Sequence, residues 1–199
     1  MSTCFEIYPT DSNIPEIHRI IENAELMFRD FLIKYNIESD IDIKVIEVAE
    51  NNEIKAGPKF IVSNEKAYNI ININNIGNIY IFYYELSDMD NEIWNDELKI
   101  NSRAVLLEDS ITLNKKAGHF WSIKRTAGQP AIISLMYGFV AMAVSAETNG
   151  FIYSSDGAWD YNKMPLEWEE LYVQYMNIDS IDNTDIKYNF TNWIMSLQN

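Results

Sequence analysis

The chain is poor in the residues that most chemistry uses. Its 199 residues hold one cysteine, Cys4, and two histidines, His18 and His119. A lone thiol excludes an intramolecular disulfide, and three such residues are too few for a zinc cluster. The seven glycines are scattered, and form neither a G-x-x-x-x-G-K-S/T phosphate loop nor a G-x-G-x-x-G turn. A G-x-S-x-G nucleophile elbow is also missing. No run of 18 apolar residues occurs, so no membrane span is expected. The longest uncharged run, 126–146, contains Gln129, Pro130, Ser134, Tyr137 and Ser145 and reads as a buried helix. Residues 1–10 include Glu6 and Pro9 and lack the basic-then-apolar order of a signal peptide. A cytoplasmic protein with no cofactor and no metal is the expectation. Positive charge is the last scarcity: 15 Lys+Arg face 30 Asp+Glu, a net −15. Such a surface repels phosphate backbones and anionic lipid, which argues against nucleic acid and membrane as partners.

What is present is enough to fold. A chain with 47% hydrophobic and 13% aromatic residues is outside the disordered range. At this length it buries about 70% of its unfolded surface. Without a repeat or linker, residues 1–199 read as a single α+β domain, a mostly antiparallel sheet packed against helices. Ile17, Ile20, Ile21, Ala24, Met27, Phe28, Phe31 and Leu32 recur at helical spacing. They predict an amphipathic helix over 13–35, capped by Asp11, Ser12 or Asn13. β-branched alternation predicts a strand over 41–49, with a short one at 60–62. Residues 68–73 and 78–85 flank Asn74-Asn75-Ile76-Gly77 and read as a hairpin whose second strand is central or an edge covered by another element. Residues 85–103 are acidic and weakly patterned, a short helix or an ordered loop. A second hairpin is expected, 104–113 pairing with 119–125 around a turn at 114–118. Residues 130–149 are the buried central helix: Glu147 is its sole charge, and Gly150 is expected at the left-handed exit position. A strand at 151–154, a turn at Asp156-Gly157 and a Pro165-initiated helix to about Met176 follow. The tail residues Ile186, Tyr188, Phe190, Trp193, Ile194 and Leu197 should pack back on the core.

The negative charge is uneven. Residues 85–109 carry eight acids and two bases, and 156–185 carry eight acids and one base. Residues 110–155 are net basic, four against one. Both acidic windows contain tryptophan, Trp94 in the first and Trp159 and Trp168 in the second. A charge run is most simply a solvated face. The alternative is a surface for a basic protein, with acids steering the encounter and aromatics anchoring it.

Catalytic readings find little to stand on. Cys4 lies near a terminus expected to fray. His119 is the one plausible general base, with Glu108, Asp109 or Asp156 as its carboxylate partner. The simpler reading is a structural histidine on a strand where His119, Trp121, Ile123 and Arg125 share a face. His18, beside the first helix's apolar stripe, reads as a partly exposed helix residue. Asp156 and Asp160 flank a turn, but 155–160 lacks the regular oxygen ligands of a calcium loop.

One stretch carries a composite pattern. A helix of small residues ends in Thr148-Asn149-Gly150, and the strand Phe151-Ile152-Tyr153 follows. Then come Ser155-Asp156-Gly157-Ala158-Trp159-Asp160 and a Pro165-led acidic helix. Over 118–176 this resembles the small, acidic, single-domain immunity proteins that accompany bacterial polymorphic toxins in contact-dependent growth inhibition and type VI secretion. The resemblance implies a protein that is not an enzyme and that binds and neutralises one cognate toxin domain. A basic, nuclease-like toxin would suit the charge, blocked at its active site or its substrate surface. The residues expected to touch it are Asp156, Trp159, Asp160, Tyr161, Glu167, Glu169 and Glu170, with Asp88, Asp90, Trp94, Asp96 and Glu97. For Trp159 the competing reading is a core aromatic that pins its loop. Two other functions stay open here: a small cytoplasmic enzyme using His119 with a nearby carboxylate, and an acidic scaffold or regulator with no toxin partner.

Overall fold

Strand pairing involves the chain from its first residues. The computed structural model describes residues 2–48, 54–55 and 68–198. In it β1, Thr3–Tyr8, buries Phe5 and Ile7 on one face and presents Cys4 and Glu6 on the other, the period-2 alternation of a strand. Cys4 is therefore not in a frayed terminus. β1 pairs antiparallel with β6 (His119–Arg125) on one side and β7 (Phe151–Tyr153) on the other. The remaining strands are β2 (Ile43–Val48), β3 (Ile54–Lys55), β4 (Tyr68–Ile73), β5 (Gly77–Glu85) and β8 (Leu166–Glu167). They complete an 8-stranded sheet in the order β3-β2-β4-β5-β6-β1-β7-β8. Every pairing is antiparallel. The β4–β5 hairpin turns where the sequence predicts. Asn74 and Asn75 adopt φ of 53° and 56°, the left-handed pair that matches strand twist. β5 is interior, between β4 and β6, the first of the two readings its apolar faces allow. The strand expected at 60–62 lies outside the described residues.

Helix α1 spans Ile17–Lys34, starting later than the polar cluster at 11–13 suggests. Asp11 instead accepts the Asn13 N–H at 2.8 Å, turning the loop ahead of the helix. The central helix is α5, Ala131–Glu147. It lies on β1, β5, β6 and β7, and α1, α6 (Trp168–Met176) and α7 (Thr184–Gln198) cover its other side. Its small residues admit close neighbours: a Cβ on Gly138 would fall 2.1 Å from Tyr175 Oη. Phe139 fills the remaining space against Phe28, Phe31 and Tyr175, with ring centroids 5.3, 5.5 and 5.3 Å away. At its exit Asn149, not Gly150, takes the left-handed conformation, with φ of 47°. Gly150 is required for space, because a Cβ there would sit 2.6 Å from the Tyr8 carbonyl oxygen.

The second hairpin does not form. Residues 88–117 are three helices: α2 (Asp88–Ile100), α3 (Ser102–Leu106) and α4 (Glu108–Ala117). Ala104, Leu107, Ile111 and Asn114 are all buried and recur at intervals of three and four, a helical period that outweighs the local β-branched content. The Asn101 side chain accepts the Arg103 and Ala104 N–H groups at the start of α3, and Gly118, at φ 79°, closes α4. Nor does Pro165 open a helix. It follows a cis peptide bond, residues 166–167 form the edge strand β8, and α6 starts at Trp168. In the tail, Phe190 and Ile194 are buried as expected, while Tyr188 is 68% exposed. Trp94 docks α2 on the sheet face opposite α5, meeting Tyr8, Phe151 and Tyr153 edge-on at 4.9, 5.2 and 5.2 Å.

Candidate functional site

The two acidic windows are brought together by α2. Its first turn is a capping box: Ser87 Oγ accepts the Asp90 N–H at 3.3 Å and Asp90 Oδ2 accepts the Ser87 N–H at 2.7 Å. Asp88 and Asp90 also sit favourably at the positive end of the helix dipole. At this end Asp90 and Asp156 both act electrostatically on Glu6. Farther along, Tyr161 Oη donates to Glu97 Oε1 at 2.7 Å and Asn101 Nδ2 donates to the Met164 carbonyl at 3.0 Å. Beyond them Arg103 is ion-paired with Glu170. The partners rise together in both segments, so α2–α3 and residues 156–170 run side by side in the same direction. The seam between them joins windows that are far apart in sequence.

Along this seam the residues singled out in the sequence have different jobs. Trp94 and Trp159 are core, 1% and 2% exposed. Trp159 stacks on Tyr175 at 4.8 Å, meets Phe190 at 5.2 Å and donates Nε1–H to Gln174 at 2.8 Å. An indole's large apolar area is best spent inside, so neither tryptophan presents itself to a partner. Glu97 and Asp160 are buried too. Asp160 caps the 3-10 turn Tyr161–Lys163, accepting the Asn162 N–H at 3.1 Å. Asp156 is exposed, but both its oxygens hold the Cys4 N–H, at 3.1 and 2.9 Å. The Glu167 N–H donates to Glu170 at 3.2 Å, which ties Glu170 to the start of α6. Asp96 pairs with Lys99 at 2.7 Å on the surface. Asp88, Asp96, Glu167 and Glu169 are exposed, and Tyr161 is 45% exposed.

The exposed apolar residues here were missed in the sequence. Met89, Ile93 and Ile100 project from α2, Val105 and Leu106 from α3, and Val173 from α6. Ile100 and Leu106 are 79% and 73% exposed. The spacing of Met89, Ile93 and Ile100, four and then seven, marks one helix face that is distinct from the Trp94 face. It is an apolar stripe set among acids.

Burial shapes the ionisable groups of this layer. It raises the pKa of Glu6, and with Asp156 nearby it pushes the Cys4 thiol up to about 12. The hydrogen bond to Glu97 raises Tyr161, and burial first of all raises Tyr153, which donates to the same Glu97 oxygen at 3.1 Å. Both phenols therefore stay protonated and act as donors. His119 starts β6 opposite Glu85, and Asp11 acts on it electrostatically. It is 3% exposed and held between Tyr83 at 5.0 Å and Trp121 at 4.9 Å. Its Nδ1 lies 3.1 Å from the Ala117 carbonyl, and burial lowers its pKa. Glu108 and Asp109 are exposed in the first turn of α4, and Asp156 is engaged with Cys4. Among the described residues no carboxylate is hydrogen-bonded to His119. His18 is on the surface, 3.4 Å from Glu16.

The fold and the seam define an α+β protein with an eight-stranded antiparallel sheet and an acidic, apolar-studded face. No family model, curated protein or solved structure matches the chain. Among the described residues no helix is long and apolar enough to cross a membrane.

Proposed function

We propose that this chain is an immunity protein that binds and neutralises a cognate bacterial toxin domain in the cytoplasm, by covering the toxin's active site or substrate surface. One observation carries the reading: the acidic window 85–109 and the acidic stretch 156–170, some 60 residues apart, run side by side, and an exposed apolar stripe on α2 lies along them. Acids of this density steer a basic partner, and aliphatic anchors inside an acidic rim supply the desolvated contacts that hold it. A basic, nuclease-like toxin is the natural complement, since a protein that grips phosphate must itself be cationic. The interface consists of Asp88, Asp96, Glu169 and Tyr161 with Met89, Ile93, Ile100 and Leu106; Trp94 and Trp159 support it from below. Co-expression with the C-terminal domain of the neighbouring large gene should restore growth and yield a stable complex on size-exclusion chromatography. Absence of both rescue and complex would overturn the reading.

A further inference from the structure

A cleft of about 230 Å³ opens on the seam, lined by Ile100, Asn101, Ser102, Tyr161 and Asn162. That is below the ~300–1,000 Å³ of ordinary small-molecule pockets, and is the scale of a single long side chain. Beneath it lies Glu97, 7% exposed. Glu97 Oε1 accepts the Tyr161 and Tyr153 hydroxyls at 2.7 and 3.1 Å, and Oε2 accepts Asn101 Nδ2 at 2.7 Å. All three donors are neutral, and two of them belong to residues that line the cleft. Buried carboxylates are ordinarily paired with a cation. Among the described residues none is ion-paired with Glu97: the nearby Lys99 is held by Asp96 and Arg103 by Glu170. The cleft thus offers an aliphatic wall at Ile100, a half-open aryl ring at Tyr161, neutral amides and a desolvated negative charge that lacks its counter-ion.

We propose that this cleft is a slot for an arginine side chain of the partner protein, its stem along Ile100, its guanidinium over Tyr161 and within the field of Glu97. A planar cation on an apolar stem fits these walls, because guanidinium stacks on aromatic faces and sheds water more readily than ammonium. The proposal rests on the partner reading above for the source of the arginine, and it deepens that reading by naming the anchor.

The test is a titration of the ¹⁵N-labelled full chain with Nα-acetyl-arginine methylamide, with the citrulline and lysine analogues as controls. Citrulline keeps the shape and loses the charge. Arginine should shift the amides of Asn101, Ser102, Tyr161 and Asn162, with citrulline at least about tenfold weaker and lysine between the two. Glu97→Gln keeps an acceptor for the phenols and should weaken arginine about tenfold. Ser102→Lys puts a cation at the exposed mouth without touching the core, and should abolish the shifts even if Glu97→Gln fails to fold. Equal shifts from citrulline and arginine, shifts elsewhere only, or full arginine binding by Ser102→Lys would overturn the slot. The two proposals separate in the co-expression assay. Full rescue by Ser102→Lys sinks the slot and leaves the partner reading intact. Arginine-specific shifts in a chain that rescues no growth sink the partner reading and leave the slot.

Discussion

The sheet face under α5 presents Phe5, Ile7, Ile79, Ile81, Trp121 and Ile123, all with no exposed surface, beneath a helix with a single charge. The opposite face presents Cys4, Glu6, Tyr8 and Tyr153 beneath α2, which carries five acids. The first layer is a close-packed interior, where shape decides stability. The second uses Trp94 as its anchor and keeps ionisable groups half-sheltered between helix and sheet. Charge that is partly desolvated interacts more strongly than charge in open water. The layer that contributes less to packing is thus the one suited to recognition.

This contrast can be broken at several points. The largest effect is expected at Phe139. Phe139→Ala should cost about 3–5 kcal/mol in urea or thermal unfolding, and a loss below ~1 kcal/mol would deny that α5 is the core. Gly138→Ala should cost about 1–3 kcal/mol although alanine is the better helix former, because Tyr175 must move. An unchanged or raised midpoint would show that Tyr175 has room. The layers should also differ in the sign of their pH response. Glu6 has a raised pKa, so between its ordinary and raised values the folded chain binds more proton than the unfolded chain. Stability falls as pH rises through that window. Glu6→Gln should therefore stabilise the chain at pH 7, with the gain fading as pH falls below the ordinary carboxylate range. His119, on the α5 face, has a pKa lowered from 6.5. There the unfolded chain binds the extra proton, and stability is lost as pH falls through 6.5 toward the lowered value. His119→Phe should flatten that descent. Urea midpoints of both variants between pH 4 and 8 check the pair, and slopes of one sign would erase the distinction. Smallest of all, Ile93→Ala and Leu106→Ala should change stability by no more than about 0.5 kcal/mol while weakening partner capture. Intact capture by both would move the interface off the stripe.

Periodicity made parts of this readable in advance. α5 announces itself by an uncharged run closed by Thr148-Asn149-Gly150, and the β4–β5 turn by paired asparagines beside glycine. β1 was hidden because six residues of alternation carry little signal alone, and its burial depends on partners at 119–125 and 151–153. Residues 104–113 are helical where a strand is expected because burying Ala104, Leu107 and Ile111 on one face favours the helical period over local β-branched composition. At the site the acids were visible, but their union was not. It rests on hydrogen bonds such as Tyr161 to Glu97, 64 residues apart, which no local pattern encodes. The tryptophans misled for a related reason: large aromatics among acids suit an anchor and a loop pin equally well, and only the packing around Trp94 and Trp159 decides.

The place of β1 has a consequence in time. It is made before both of its neighbours, β6 and β7, which begin only at His119 and Phe151. At about 5–20 residues per second a ribosome needs on the order of ten seconds to cover that gap. For that interval the oldest strand has no ladder to join, and the β2–β4–β5 ribbon can assemble without it. Once β6 is made it can carry β1 into the sheet, and β7 and β8, made later still, extend the edge beyond it.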